Sequence, residues 1–478
     1  MTVVSAPPQC KFATLSYTWN SSTALKAEDR APVLSSDSLP KQISRTILDA
    51  TMVTKRLGLQ YLWVDRFCIP QDDEEEKIIQ IRNMDLVFGA ADFTIVAAAG
   101  DENFGIPGVG ATPRRDQPSA QIGDIELLAS LPQSKTAILS SKWSTRGWTL
   151  QEAFLSRRCL FLTEDEAYFE CASMTRREFM KVNDDLAATK ADRDLVRNAH
   201  PPIFKAPGSR GGYGEYEELV HAYTKRDLTF DSDSFNAFAG IARFMAKSDS
   251  PILQISGLAI PDPRALEISG KPAGELKRQF LSSMLWIHDP PNHPCKPLRR
   301  RTSFPSWSWT GWAGEIFYGR RKLGSEQSHI DIGFGFDQNQ HHDFESLYDR
   351  EMLKAIQIQG PRYLHLTSYV VPSEWIDFVD VGAWSISGFH ASLSVVESCG
   401  RLEWRNNHGA TEGAREKLHT RRWELILLAV HELAVYFLVF ENLEEFARRV
   451  GLCSIYMAGD LGLHAHLLQT EKRSITLL

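Results

Sequence analysis

The chain has 478 residues, of which 43% are hydrophobic and 24% charged. This composition is typical of folded proteins, and the length is too great for one ordinary hydrophobic core. Its net charge of −7 argues against nucleic-acid binding and against attraction to anionic membranes. The seven cysteines are dispersed and form no CxxC pair, which excludes zinc-ribbon and thioredoxin-type motifs. The opening MTVVSAPPQC lacks the basic start and apolar core of a signal peptide. We therefore expect a cytoplasmic protein with neither a bound metal nor a cofactor.

Strand and helix patterns alternate along the first third of the chain. Compact apolar runs predict three strands: KFATLSY (11–17), YLWV (61–64) and FTIVAAA (93–99). Helical spacing of apolar residues predicts one helix in each gap, over 41–57 and over 72–88. This βαβαβ order predicts an α/β domain whose parallel sheet is joined by right-handed crossovers.

The segment 72–88 is predicted to be a single helix. Four of its residues share the inward-facing positions: Ile78, Ile81, Asp85 and Phe88. Its first acids, DDEEE at 72–76, could suggest a divalent-metal site. Acids adjacent on one turn point in different directions, however, and Asp72 or Asp73 is well placed to cap the helix while the glutamates complement its dipole. We therefore predict a capped helix and no metal site.

Unusual residues follow each of the three predicted strands. The strand ends are YTWN (17–20), VDRFCIPQ (64–71) and AGDENFG (99–105). Because ligands of parallel sheets bind beyond the carboxyl ends of the strands, these segments predict a site at one edge of the sheet.

Asp65 is the carboxylate that directly follows the second strand. It could bind a ligand hydroxyl, or it could hold its loop by accepting hydrogen bonds from backbone N–H groups. Nearby Cys68 is expected to be structural, because the first histidine in the chain is His200. Neither a Ser-His-Asp triad nor a Cys-His dyad can form within an N-terminal domain that lacks histidine.

The segment RGWTLQE brings an aromatic ring, an amide and two opposite charges onto a short predicted helix. The side chains concerned are Arg146, Trp148, Gln151 and Glu152. Such a set can bind a nucleotide or a sugar, but it could equally form a packing network. The glycine-rich FGIPGVGATPRR (104–115) matches neither GxGxxG nor the P-loop pattern, so a mobile loop is expected there.

Composition changes along the rest of the chain. The charged and then Pro/Gly-rich segment 176–214 is typical of a linker, helical patterns follow in 215–300, and short β-like runs fill 301–478. The most apolar run, 423–440, contains two acids, each of which would cost roughly 2.5–3.5 kcal/mol at a bilayer centre. We predict two core strands there and no membrane span. The whole chain is thus expected to be α+β, with an α/β N-terminal domain, a helical middle region and a β-rich C-terminal region.

Three segments, in this order, resemble blocks of the fungal heterokaryon-incompatibility (HET) domain family. They are ATLSYTWN (13–20), YLWVDRFCIPQDD (61–73) and STRGWTLQEAFLSRRCLFL (144–162). The first block of the family usually ends in glycine, where this chain has Asn20. Asparagine tolerates the left-handed conformation better than most residues, so the turn is expected to survive. The similarity continues through PSWSWTGWAGEIFY (305–318) and covers most of the chain.

The resemblance implies a HET domain over 1–175, with a role in fungal non-self recognition and programmed cell death through protein partners or self-association. A suggested relationship of HET domains to the TIR fold, some members of which cleave NAD with a glutamate, makes Glu152 and Asp65 candidate catalytic residues of a nucleotide hydrolase. A catalytically silent regulatory relative is the remaining alternative. The candidate ligand-binding residues are Tyr17, Trp19, Asn20, Asp65, Gln71, Arg146, Trp148, Gln151 and Glu152.

Overall fold

The chain forms two compact units. The computed structural model describes residues 2–19, 43–70, 73–179, 202–204, 212–272, 274–288, 299–318, 323, 329–371, 376–380, 383–386, 389–395, 420, 422–431, 434–456 and 467–478. Unit 1 consists of Met1–Ser209, Arg226–Thr229 and Asn236–Phe244. Unit 2 consists of Arg210–Lys225, Phe230–Phe235 and Met245–Leu478.

Unit 1 is built on a six-stranded sheet. Its strands are β1 (Phe12–Ser16), β2 (Tyr61–Trp63), β3 (Phe93–Ala97), β6 (Arg158–Leu162), β7 (Ala167–Cys171) and β8 (Thr175–Arg177). A separate hairpin consists of β4 (Ser119–Ile122) and β5 (Ile125–Leu128). The order in the sheet is β2-β1-β3-β6-β7-β8. β2, β1, β3 and β6 are parallel, and β7 and β8 return antiparallel. The predicted βαβαβ unit with a parallel sheet is confirmed.

Six α-helices are described within residues 1–209 and accompany this sheet. They are α1 (Arg45–Arg56), α2 (Asp65–Cys68), α3 (Glu74–Arg82), α4 (Met84–Ala90), α5 (Ser134–Leu139) and α6 (Gly147–Leu155). α1 has the predicted apolar face, because Ile47 and Ala50 are buried against Leu15 of β1 and Ile95 of β3. Gly58, with φ +73°, turns the chain after α1, a conformation that glycine adopts without strain.

The prediction of one helix over 72–88 was wrong. The chain leaves helical conformation at Asn83 (φ −101°, ψ 7°), so that α3 ends before it and α4 begins after it. The break lets Phe88 pack into a small apolar cluster, whereas Ile78 is 42% exposed rather than inward-facing. The predicted cap is present: the Asp73 carboxylate accepts a 3.0 Å hydrogen bond from the backbone N–H of Glu76.

Helices dominate the middle of the chain. They are α7 (Tyr213–Thr224), α8 (Asp233–Met245), α9 (Pro263–Ile268) and α10 (Gly274–Ser283), followed later by α11 (Arg350–Gln359). Short strands separate them: β9 (Ile252–Ile255), β10 (Leu258–Pro261), β11 (Trp286–His288), β12 (Arg299–Arg300), β13 (Trp312–Ala313) and β14 (Ile316–Tyr318). They pair two by two as antiparallel ribbons.

A ten-stranded sheet forms the C-terminal part of unit 2. Its strands are β15 (Asp331–Gly335), β16 (His342–Asp343), β17 (Tyr363–Tyr369), β18 (Ile376–Asp380), β19 (Ala383–Ile386), β20 (Phe389–Val395), β21 (Trp423–His431), β22 (Ala434–Asn442), β23 (Ala447–Tyr456) and β24 (Lys472–Leu477). β21 and β22 are antiparallel neighbours over the apolar run. The two predicted core strands are therefore confirmed, and the α+β architecture is as expected.

Candidate functional site

The carboxyl ends of β1, β2 and β3 lie at one edge of the unit 1 sheet, because these strands are parallel neighbours. Helix α6 reaches the same edge through Glu152, whose carboxylate accepts a hydrogen bond from the hydroxyl of Ser16 at the end of β1. The third motif segment therefore contacts the first, although 136 positions separate the two residues.

Glu152 is only 7% exposed. Burial raises the pKa of its carboxyl group, while the Ser16 hydrogen bond and the nearby guanidinium groups of Arg146 and Arg226 lower the pKa without cancelling the increase. The Ser16 hydroxyl also accepts a 2.7 Å hydrogen bond from Trp143 Nε1, which leaves its own proton for the carboxylate. The carboxylate is thus held in a defined position in surroundings that disfavour its charge.

Asp65 is the first residue of α2, and only Val64 separates it from the end of β2. Its Oδ1 accepts a 2.7 Å hydrogen bond from the backbone N–H of Arg66, which is the loop-holding role considered above. Burial, and then the charge of Glu152, raise the pKa of Asp65 to about 7, against the lowering effects of that hydrogen bond and of the two arginines, Arg146 and Arg66. Its side chain therefore changes charge near neutral pH, next to a second carboxyl group that disfavours its ionisation.

Two arginines bring positive charge to this edge. Arg146 Nη1 donates a 2.7 Å hydrogen bond to the backbone oxygen of Tyr17. Arg226 Nη1 donates a 2.8 Å hydrogen bond to Thr149 Oγ1 on α6. Burial lowers the pKa of Arg226 to about 10, and the charge of Glu152 partly offsets that lowering. Arg146 was predicted from the sequence, whereas Arg226, which comes from a segment far along the chain, was not.

An ion pair borders the cluster. Arg66 Nη1 lies 2.5 Å from Glu102 Oε2, and the guanidinium carbon of Arg66 lies 6.0 Å from the centre of the Trp19 ring. Glu102 is 1% exposed and follows the end of β3. All three strand ends therefore contribute charged or aromatic side chains, and sequence reasoning had missed both members of this pair.

Three side-chain polar atoms at the end of β1 are buried and have no hydrogen-bond partner among the residues that the structure describes. They are Tyr17 Oη, Thr18 Oγ1 and Trp19 Nε1. Burial, followed by the charge of Asp65, raises the pKa of Tyr17 well above its ordinary value, so its hydroxyl remains a hydrogen-bond donor. An unpaired buried polar group costs roughly 1–3 kcal/mol, and such groups are suited to binding a ligand that supplies the partner.

Two of the predicted site residues have packing roles. Gln151 is 2% exposed, and its Oε1 accepts a 2.7 Å hydrogen bond from the backbone N–H of Gly240. Trp148 packs against the apolar cluster that contains Phe88. Two further predicted residues, Asn20 and Gln71, lie outside the described residues. The side chains that the structure brings together are thus those of Tyr17, Trp19, Asp65, Arg146 and Glu152.

Other motifs considered in the sequence have structural explanations. Cys68 Sγ accepts a 3.4 Å hydrogen bond from the backbone N–H of Val64, and burial raises its pKa to about 11, which makes it a poor nucleophile. The N–H groups of Gly105 and Ile106 are bonded to side chains of α1 and cannot cradle a phosphate. Within the described part of the chain, no group of three or more His, Cys, Asp or Glu side chains could hold a metal ion.

Comparison with known families gives a match over the N-terminal part of the chain. Residues 12–152 match the family described as "Heterokaryon incompatibility protein (HET)", and this span contains all the clustered side chains of the site except Arg226. No curated protein and no solved structure matches the chain. Among the helices described here, none is long and apolar enough to cross a membrane.

Proposed function

We propose, from the match of residues 12–152 to the heterokaryon-incompatibility family, that the chain is an incompatibility effector that triggers cell death in fungal non-self recognition. The chain would act in the cytoplasm, on a protein partner or on a second copy of itself. The observation that carries it is the charge-coupled cluster in which Tyr17, Asp65 and Glu152 each come from a different family-like block. A cluster with raised pKa values and unpaired polar atoms is typical of a functional site rather than of a packing core.

Induced expression in a filamentous fungus tests this proposal. We expect the full chain to arrest growth and to admit a dye that living cells exclude, whereas Asp65→Asn and Glu152→Gln should permit growth at equal protein levels. Glu170→Gln is a matched control, because Glu170 is a buried carboxylate of the same sheet whose partners include the backbone N–H groups of Ile203 and Phe204. It should still arrest growth. Normal growth at a robust level of the unchanged chain would reject an autonomous effector.

A second candidate function is the cleavage of an NAD-type nucleotide at the same cluster. It is favoured by the two neighbouring carboxyl groups of Asp65 and Glu152, which lie beside Arg146. The buried donors of Tyr17 and Trp19, which have no partner among the described residues, lie at the same edge. An ionised carboxylate can stabilise the positive charge that develops on the ribose as the bond to nicotinamide breaks. Nicotinamide leaves with the bonding electron pair, water adds to the ribose carbon, and a carboxylate accepts the proton of that water.

Incubation of the purified chain with NAD distinguishes this candidate. Chromatography should detect free nicotinamide and ADP-ribose in equal amounts, with Glu152→Gln reducing the rate at least about a hundredfold, as expected when an acid–base group is lost. The Glu170→Gln control should retain the rate. If neither dilute nor concentrated protein releases nicotinamide, nucleotide cleavage is rejected while the effector proposal stands on the growth assay alone.

A further inference from the structure

A cavity of about 380 Å³ lies within unit 2, and every described residue that lines it belongs to that unit. Its volume is within the range of small-molecule sites, roughly 300–1,000 Å³. The cavity is bounded by the turn between β9 and β10, by the loop before Trp307 and by the end of α11. None of the side chains in the unit 1 cluster lines it, so it is a separate site.

Direct contacts fix the walls of the cavity relative to one another. Ser256 Oγ, in the β9–β10 turn, donates a 2.9 Å hydrogen bond to the backbone oxygen of Pro361. The amide nitrogen of Gln357 on α11 donates to the backbone oxygen of Gln254 on β9. Gly360 ends α11 with φ +67°, and a Cβ atom there would lie 3.0 Å from Ser256 Oγ. The hairpin and the helix end are therefore tied together, as in a preformed binding site.

The lining combines flat apolar surface with amide groups. Phe235, Phe304 and Phe336 are half-buried rings that face the cavity. Gln357 also lines it, and because its amide nitrogen is already committed to backbone, its oxygen is left as a hydrogen-bond acceptor. Aromatic walls with a few amide groups suit a planar ligand whose edge is polar.

Arg362 is the one charged side chain among the described lining residues, and no aspartate or glutamate is among them. Its guanidinium group forms no ion pair with a described residue. Arg300 lies just behind the wall, where its Nη2 donates a 2.5 Å hydrogen bond to the backbone oxygen of Phe304. Burial, and then the charges of Arg448 and Arg362, lower the pKa of Arg300 to about 10. Positive charge therefore accumulates at this end of the cavity, where an anion would be stabilised.

We propose that this cavity binds a small aromatic anion, a planar ring system that carries a carboxylate or a phosphate. Its anionic group pairs with the guanidinium of Arg362, which matches either group in bidentate geometry. The ring lies against the phenyl groups of Phe304 and Phe336, and Gln357 Oε1 accepts a hydrogen bond from its polar edge. Such binding would give the chain a small-molecule site beyond the incompatibility function proposed for unit 1.

Isothermal titration calorimetry of the full chain tests the proposal with two matched pairs of probes. Indole-3-acetate and indole-3-acetamide differ in a carboxylate, and adenosine 5′-monophosphate and adenosine differ in a phosphate. We expect at least one anion to bind with a dissociation constant at least about tenfold lower than that of its neutral counterpart, as the loss of one charged hydrogen-bonding group predicts. The pair that shows the difference identifies the anionic group.

Variants locate the binding. Arg362→Gln should weaken binding of that anion about tenfold or more, and Phe336→Leu should weaken both members of its pair. Arg350→Gln, an exposed arginine at the opposite end of α11, is the matched control and should bind like the unchanged chain. Equal affinity for the anion and its neutral counterpart, no binding of either anion at millimolar concentration, or unchanged affinity in Arg362→Gln would each overturn the proposal. A circular-dichroism melt of each variant confirms that it is folded.

Discussion

Asp65→Asn is predicted to stabilise the protein at neutral and alkaline pH. The substitution keeps the shape of the side chain and an oxygen that can accept the 2.7 Å hydrogen bond from the Arg66 N–H. It removes a negative charge that burial and the charge of Glu152 disfavour. A residue that served only to hold its loop would instead lose stability, or keep it, on this exchange.

The sign and size of the effect follow from the pKa of Asp65. Its pKa is about 7 in the folded chain and 3.8 in ordinary surroundings, so the folded state binds a proton more tightly than the unfolded state. As pH rises from about 4 to about 7, the unchanged protein therefore loses about 1.4 kcal/mol of stability per pH unit. The total, (7 − 3.8) × 1.36, is about 4 kcal/mol. Asparagine has no charge and escapes this loss.

Urea unfolding followed by tryptophan fluorescence measures the prediction at pH 5 and at pH 8. Between pH 5 and pH 8 the unchanged chain should lose about 2–3 kcal/mol of its free energy of unfolding. The stability of Asp65→Asn relative to the unchanged chain should therefore increase by that amount as the pH is raised. Asp73→Asn is the control, since Asp73 caps α3 and asparagine caps equally well; its stability difference should not depend on pH. An advantage of Asp65→Asn that is absent at pH 8, or that is the same at both pH values, would refute the reasoning.

Two further substitutions test the packing around the cluster. Ser16→Ala leaves the Glu152 carboxylate and Trp143 Nε1 without their shared hydroxyl and should lower the free energy of unfolding by about 1–3 kcal/mol; an unchanged urea midpoint would show that the hydroxyl is dispensable. Gly240→Ala places a Cβ atom 2.5 Å from the Cβ of Asp85 and should cost about 1–3 kcal/mol through overpacking. A melting temperature that does not fall in Gly240→Ala would contradict this close approach.

Much of the N-terminal fold could be predicted from local patterns. Compact apolar runs located β1, β2 and β3, and the alternation of strands with helices predicted their parallel arrangement, because a crossover helix returns the chain to the same edge of the sheet. That arrangement in turn predicted that the residues after the strands would meet. Tyr17 and Asp65 do so: burial raises the pKa of each, and a carboxyl group from another part of the site, Asp65 for Tyr17 and Glu152 for Asp65, adds to the increase.

The errors came from contacts that local patterns do not encode. Nothing in the apolar spacing of 72–88 marks the break at Asn83, after which Phe88 packs into a cluster with residues from elsewhere in the fold. Arg226 and Gly240 reach α6 from segments outside the first 209 residues, so their contacts with Thr149 and Gln151 required the tertiary structure. An arginine in a predicted helical region gives no signal that it will be buried beside a carboxylate.

Some motif residues stabilise the fold and others do not, and this difference favours a functional site in unit 1. Gln151 Oε1 accepts a hydrogen bond from the backbone N–H of Gly240, so its buried position is explained without a ligand. Asp65 and Tyr17 differ, because a carboxyl group with a pKa near 7 and a buried hydroxyl that has no partner among the described residues each make the fold less stable at neutral pH. Residues that reduce stability are retained where binding or catalysis requires them. If Asp65→Asn stabilises the chain and also abolishes growth arrest, the carboxylate acts in function and not in folding.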